Sequence, residues 1–169
     1  MFKPFRLILA ALMLAFLPSL PGSHAASMSD YLENKIADHV FRTTTYTAPS
    51  GIYIALFTSA CSDSAAGTEV SGGSYARVNA GKADASWRGT HSSATGASSG
   101  TGGTVDNAST LTFPAPTGNW GSVSHFGIFD ASTSGNMLFC AALTTAKTIN
   151  NGDAAPSFAA NALPVQIDN

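Results

Sequence analysis

Apolar residues in this chain come in short runs set between polar, glycine-rich stretches. The best-marked pair lies in "SHFGIFDASTSGNMLFCAAL", residues 124–143. Two apolar flanks face each other across residues 130–136, where Asp, Ser, Gly and Asn favour tight turns and left-handed backbone. The flanks are too short to stand as helices, so the pattern predicts a β-hairpin with strands over 122–129 and 137–143. "IYIALFT" at 52–58 reads as a buried strand. Further strands are expected around 75–78, within "STLTFPAP" at 109–116, at Phe158 and over 163–167. Pro114 closes its strand or places it at a sheet edge. Between them, 59–73 reads as a polar loop and "KTINNGD" at 147–153 as a turn. "GTHSSATGASSGTGGTVD" at 89–106 reads as a low-complexity surface loop. Loop closure depends weakly on length, so that stretch is expected to tolerate shortening.

One helical pattern precedes the strands. Asp30 is expected to cap it, with Glu33 at capping-box spacing. Leu32, Ile36 and Val40, with Ala37 and Phe41 beside them, form one apolar stripe, while Glu33, Lys35, Asp38 and Arg42 take the other face. A helix of about three turns is marginal alone. Most of its stripe is therefore expected to dock on the sheet of the same chain, the alternative being a neighbouring subunit. Ile54, Leu56, Phe126, Ile128, Leu138 and Phe139 are the expected core. The pattern predicts a mainly β domain over 28–169, an antiparallel β-sandwich of jelly-roll-like form that opens with one short amphipathic helix.

The first 25 residues have a different character. Lys3 and Arg6 precede the apolar run "LILAALMLAFL" at 7–17, and Ser23 and Ala25 offer a small-residue cleavage site. That layout is a secretory signal, too short to be a stable membrane span. Met28 opens "MSDYLENK" and offers a second start, which would make the leader an upstream misread.

Charge narrows the partners. Only 11% of residues are charged, against about 25% in ordinary globular proteins. Eight Lys and Arg stand against ten Asp and Glu, a formal net charge of −2. Without Lys3 and Arg6 the balance is six against ten, or −4. The remaining cations are scattered, so no basic groove for nucleic acid is expected. Cys61 and Cys140 allow one pairing, a bridge in an exported protein or two thiols in a cytosolic one.

No reaction chemistry assembles. His39, His91 and His125 have no metal-ligand spacing, and "GGSYA" at 72–76 lacks the last glycine, the strand and the helix of a nucleophile elbow. "GASSGTGG" is not followed by Gly-Lys-Ser/Thr, so phosphate binding is unsupported. Asp130 reads as a turn residue that caps its own backbone. Neither catalytic, cofactor nor metal residues are expected.

"YLENKIADHVFRTTTYTAPSGIYIALFTSA", "GTEVSGGSYARV" and "LTFPAPTGNWGSVSHFGIFDASTSGNMLFCAALTTAKTINNGD" resemble a family of small bacteriophage tail-fibre or tail-fibre-like virion proteins. The resemblance runs from Tyr31 to Asp168 in several separated segments. Two features depart from it: the stretch between Arg77 and Asp106 is longer, and a secretory leader is unexpected where virions assemble in a host cytosol. The resemblance implies a non-enzymatic virion component that works through contacts with other virion proteins or with copies of itself. An exported module binding glycans or a host surface is the alternative, with Tyr75, Trp87, His91 and Trp120 as its candidate contacts. The two readings place the protein in a virion or, through the leader, in a periplasm or outside the cell.

Overall fold

The computed structural model describes residues 26–89 and 103–167. One short strand, an edge of the main sheet, and a helix open the described chain. In order, the elements are β1 (Ser27–Met28), α1 (Asp30–Phe41), β2 (Tyr53–Phe57), β3 (Val78–Asn79), β4 (Trp87–Gly89) and β5 (Thr104–Asn107). Then follow β6 (Leu111–Thr112), β7 (Gly121–Phe129), β8 (Met137–Ile149), β9 (Ser157–Phe158) and β10 (Val165–Gln166). The strands form antiparallel sheets of five (β1-β8-β7-β2-β3), three (β10-β5-β4) and two (β6-β9), with α1 as the one helix among the described residues. The arrangement is sandwich-like. A parallel bridge between Ala26 and Val165 joins the margin of the large sheet to the three-stranded one.

The hairpin predicted from the opening stretch is the spine. Phe126 pairs with Ala141, Gly127 with Cys140 and Ile128 with Phe139, while β2 lies on the other side of β7 with Ile54 opposite Ile128 and Leu56 opposite Phe126. Ser134 and Gly135 both take positive φ in the connecting turn. Asp130 accepts from the Asn136 backbone N–H at 2.7 Å and from its side-chain amide at 2.8 Å. This is the backbone-capping role expected of a turn aspartate.

One face of the large sheet carries Ile54, Leu56, Phe126 and Ile128 into a core shared with Phe158 of β9 and with Phe113, just past β6. Edge-to-face ring pairs join Phe126 to Phe158 at 5.7 Å and Phe158 to Phe113 at 6.2 Å. All six residues expected in the core are buried. The second face carries Ala55, Phe57, Phe129, Met137 and Cys140. Phe57 lies so close over Gly127 that a Cβ there would meet its ring at 2.6 Å. The loop after β2 covers this face, held by a disulfide from Cys61 to Cys140. Burial on both faces explains why "IYIALFT" is continuous rather than alternating.

Several boundaries differ from the pattern. β8 runs through Lys147 to Ile149, where a turn was expected, because Gly121, Ser122 and Val123 extend the ladder opposite it. Tyr75 lies outside a strand; the β2–β3 ladder begins only at Val78. The expected loop at 89–106 is framed by strands β4 and β5, on which Arg88 and Asp106 are direct cross-strand partners. Two bonds of 2.8 and 2.9 Å join the guanidinium to the wholly buried Asp106 carboxylate. That hydrogen-bonded carboxylate raises the Arg88 pKa above its ordinary value. Shortening must therefore spare both residues. The expected leader lies outside the described residues.

Two substitutions test this packing. Phe126→Ala removes a fully buried ring and is expected to cost about 3–5 kcal/mol in urea unfolding; an unchanged midpoint would place the ring outside the core. The disulfide spans 79 residues of sequence, a loop whose closure is worth about 4 kcal/mol in the chain-entropy model. Reduction, or the double variant Cys61→Ser/Cys140→Ser, is expected to lower Tm by about 10 °C, and an equal Tm would show that the covering loop is held by packing alone.

Candidate interaction surface

Near the C-terminal end of helix α1, His39 Nδ1 accepts from the Tyr46 N–H at 3.3 Å, and at its N-terminal end the helix is anchored to the sheet. Ser29, not Asp30, is its N-cap, with the hydroxyl accepting from the Leu32 N–H at 3.3 Å. The same hydroxyl donates to the Met137 carbonyl at 2.5 Å, and the Ser29 N–H donates to the Leu138 carbonyl at 2.9 Å. The cap thus serves the helix and β8 together, which the capping-box spacing of Asp30 and Glu33 did not reveal. The Asp30 N–H donates to the Asp63 carbonyl at 3.0 Å in the disulfide-tied loop. Leu32 is the residue of α1 that is buried, with Tyr31 and Ile36 packed partly against the core.

The rest of the expected stripe does not dock. Val40 is 62% exposed and Phe41 84%, and Ala37 is exposed beside them. Lys35, expected on the solvent face, is half-buried with its ammonium 5.6 Å from the centre of the Tyr31 ring. The physical reason is rotation: the anchors at Ser29 and Asp30 turn Tyr31, Leu32, Lys35 and Ile36 towards the sheet. That leaves Asp30, Asn34, Ala37 and Phe41 as an outward row, spaced by four, three and four residues, with Glu33 and Val40 beside it. The spacing was legible in the sequence, but the direction of the helix was not. Arg42 ends the helix with its guanidinium 3.3 Å from the Asp38 carboxylate, an exposed i,i+4 pair.

The aromatic residues nominated for glycan contact lie apart from this surface. Trp120 is buried, its indole N–H donating to the Gly73 carbonyl at 2.9 Å. Tyr75 is half-buried, edge-on to Trp120 at 5.3 Å and stacked near Phe113 at 6.3 Å. Trp87 is half-buried, donates to the Gly81 carbonyl at 3.1 Å and lines an apolar cleft with Ile52, Val105, Phe139 and Val165. His91 lies outside the described residues. The structure brings Tyr75 and Trp120 together, but as parts of a core edge.

Tyr75 belongs to a polar node that the sequence did not mark. Its hydroxyl accepts from the Leu56 N–H at 2.9 Å and donates to Glu69 Oε1 at 2.9 Å. Arg77 grips the same carboxylate twice, Nε to Oε1 at 2.9 Å and Nη2 to Oε2 at 2.7 Å. Its Nη1 donates to the Ala131 and Ser134 carbonyls, and its guanidinium lies 3.7 Å from the centre of the Phe129 ring. Among the described residues no group of three or more His, Cys, Asp and Glu could hold a metal. No helix among them is long and apolar enough to cross a membrane.

Burial, first, and the neighbouring Glu69 carboxylate push the Tyr75 hydroxyl well above its ordinary pKa, against the opposing pull of the Leu56 N–H and Arg77. The unfolded chain then loses this proton near pH 10 while the folded chain keeps it. Its contribution to stability is complete below about pH 10 and declines as pH rises towards the folded value. Unfolding free energy measured from pH 8 upward is expected to fall more steeply, above about pH 10, in the wild type than in Tyr75→Phe. Parallel profiles would show that the hydroxyl titrates as it does in water.

Among curated proteins no match is found. A protein-family model described as Podophage GP4 fiber I protein gp80 matches residues 27–166, which takes in all the described sheets and α1. The match spans the Ser29 cap, the Glu69–Arg77 node and the hairpin alike. The chain belongs to this family of podophage fibre proteins, structural components of the virion.

Proposed function

We propose that this protein is a non-enzymatic structural subunit of a phage virion and that it acts through subunit contacts made by the outward face of α1. The observation that carries the reading is the exposure of Val40 and Phe41 on a helix whose other end is firmly anchored. Large apolar side chains exposed side by side mark contact sites more often than scattered single ones do. The anchor matters as much as the exposure, because a face presented on a fixed element loses little entropy on docking. The fibre family supplies the setting in which such a face has a partner. The Cys61–Cys140 bond supports the same reading, since disulfides persist in oxidising surroundings such as virion surfaces.

Phe41→Glu tests it. The ring is 84% exposed, so the variant is expected to fold with its Tm within about 1 °C of wild type. Supplied to a phage lacking the gene, it is expected to be severalfold depleted from purified particles by mass spectrometry, whereas the wild type is recovered in them. Equal incorporation would remove α1 as the contact. Absence of the wild type from particles, with the protein abundant in the lysate, would overturn the structural role itself.

A further inference from the structure

We propose that the Cys61–Cys140 bond is a thiol-exchange site and a redox latch. A dithiol opens it by attack at Cys61, and the freed loop tip uncovers part of the second face of the large sheet while the sandwich stays folded. The loop after β2 has a closed stem. The Thr58 N–H donates to the Thr68 carbonyl at 2.9 Å, the Thr68 N–H to Ser59 Oγ at 2.7 Å, and the Val70 N–H to the Leu56 carbonyl at 3.0 Å. Arg77 holds Glu69 at the foot of this stem. The tip, Ala60 to Ala66, has no such support. Cys61 is half-buried and every other tip residue is exposed. Internal bonds join the Ser62 N–H to the Ala65 carbonyl and the Ser64 N–H to the Asp63 carboxylate. Among the described residues one hydrogen bond leads out of the tip, from the Asp30 N–H to the Asp63 carbonyl at 3.0 Å.

Clefts lie on both sides of the tip. One of about 280 Å³ separates Asp63, Ser64 and Ala65 from Phe129, Asn136 and Met137. The other, of about 400 Å³, is lined by Ser27, Ser62, Asp63, His125 and both cysteines, so solvent reaches the bond from the Cys61 side. An arch with space on two sides gains little from dispersion contacts. Cys61 is the side chain that ties it to the sheet, as the tip's one contribution to the Phe57–Phe129 cluster.

Exchange follows from this exposure. The first thiolate of a dithiol attacks Cys61 Sγ rather than Cys140, a residue only 7% exposed. The S–S bond breaks, a mixed disulfide forms on Cys61, and Cys140 leaves as a thiolate that takes a proton from water. The second thiol of the reagent then attacks the reagent's own sulfur and releases Cys61. The protein gains two hydrogens and the dithiol loses them, becoming a disulfide. β2 pairs with β7 and β7 with β8, so the sheet beneath stays joined when the bond opens. In the chain-entropy model the bond acts on the unfolded chain, so its loss lowers Tm without displacing the sheet. Met137 and Phe129, buried beside the tip, are what its departure uncovers. The latch is closed in oxidising surroundings and open in reducing ones.

The oxidised protein, folded and without denaturant, is treated with reduced glutathione and quenched with iodoacetamide. Peptide mapping is expected to find glutathione on Cys61 and the alkyl group on Cys140, about tenfold in excess of the reverse. Dithiothreitol then gives the fully reduced form. Backbone order parameters from nitrogen relaxation are expected to fall in the tip to below about 0.6, while β7 and β8 stay near about 0.85. Cys61→Ser/Cys140→Ser is expected to show the same pattern with no reagent. A bond that reacts only in denaturant, or glutathione mainly on Cys140, would overturn the exchange site. A tip that stays rigid after reduction, or order lost throughout β7 and β8, would overturn the latch.

Discussion

A single guanidinium organises the outer half of this protein. Arg77 is almost fully buried at its side chain and spends its donors on the Glu69 carboxylate and two turn carbonyls while its plane rests on Phe129. It thereby joins the segment leading into β3, the turn between β7 and β8, and the second face of the large sheet. A lysine could supply the charge but not the forked geometry. Loss of the cation would leave Glu69 and two carbonyls short of partners, the situation in which breaking a buried pair is most damaging.

From that node the covering loop acquires its position. Glu69 is bridged to Phe57, and the Val70 N–H returns to the Leu56 carbonyl, so the loop after β2 begins and ends against the same strand. Its middle is pinned by Cys61 to Cys140 in β8. The loop in turn offers the Asp63 carbonyl to the first N–H of α1. A chain of local contacts therefore runs from Arg77 to the first turn of the helix. The exposed side of α1 is the side turned away from that anchor.

Apolar burial is divided unevenly between the β layers and the helix. The β layers bury their apolar side chains within the chain, and the exposed large apolar side chains of α1 are concentrated at its last turn. The wholly buried Asp106 and its Arg88 partner similarly stiffen the base of the β4–β5 ladder without offering chemistry to solvent.

The sequence by itself determined the hairpin, because apolar flanks around an Asp-Ser-Gly-Asn turn satisfy backbone bonding in one way, and the register follows from the burial of Phe126, Ile128 and Phe139. It also determined the β class and the existence of α1, both of which rest on local periodicity. What it left open were relations between distant residues. The pairing of Cys61 with Cys140, the grip of Arg77 on Glu69, and the Arg88–Asp106 pair across a polar stretch have no local signature. Only the tertiary structure decided which side of α1 faces the sheet. Helical spacing groups Leu32, Ile36, Val40 and Phe41, but the cap at Ser29 sets their rotation and leaves Val40 and Phe41 exposed. A stripe that reads as core is thus core for one turn and surface for the last, because burial depends on what stands opposite and not on the side chain alone.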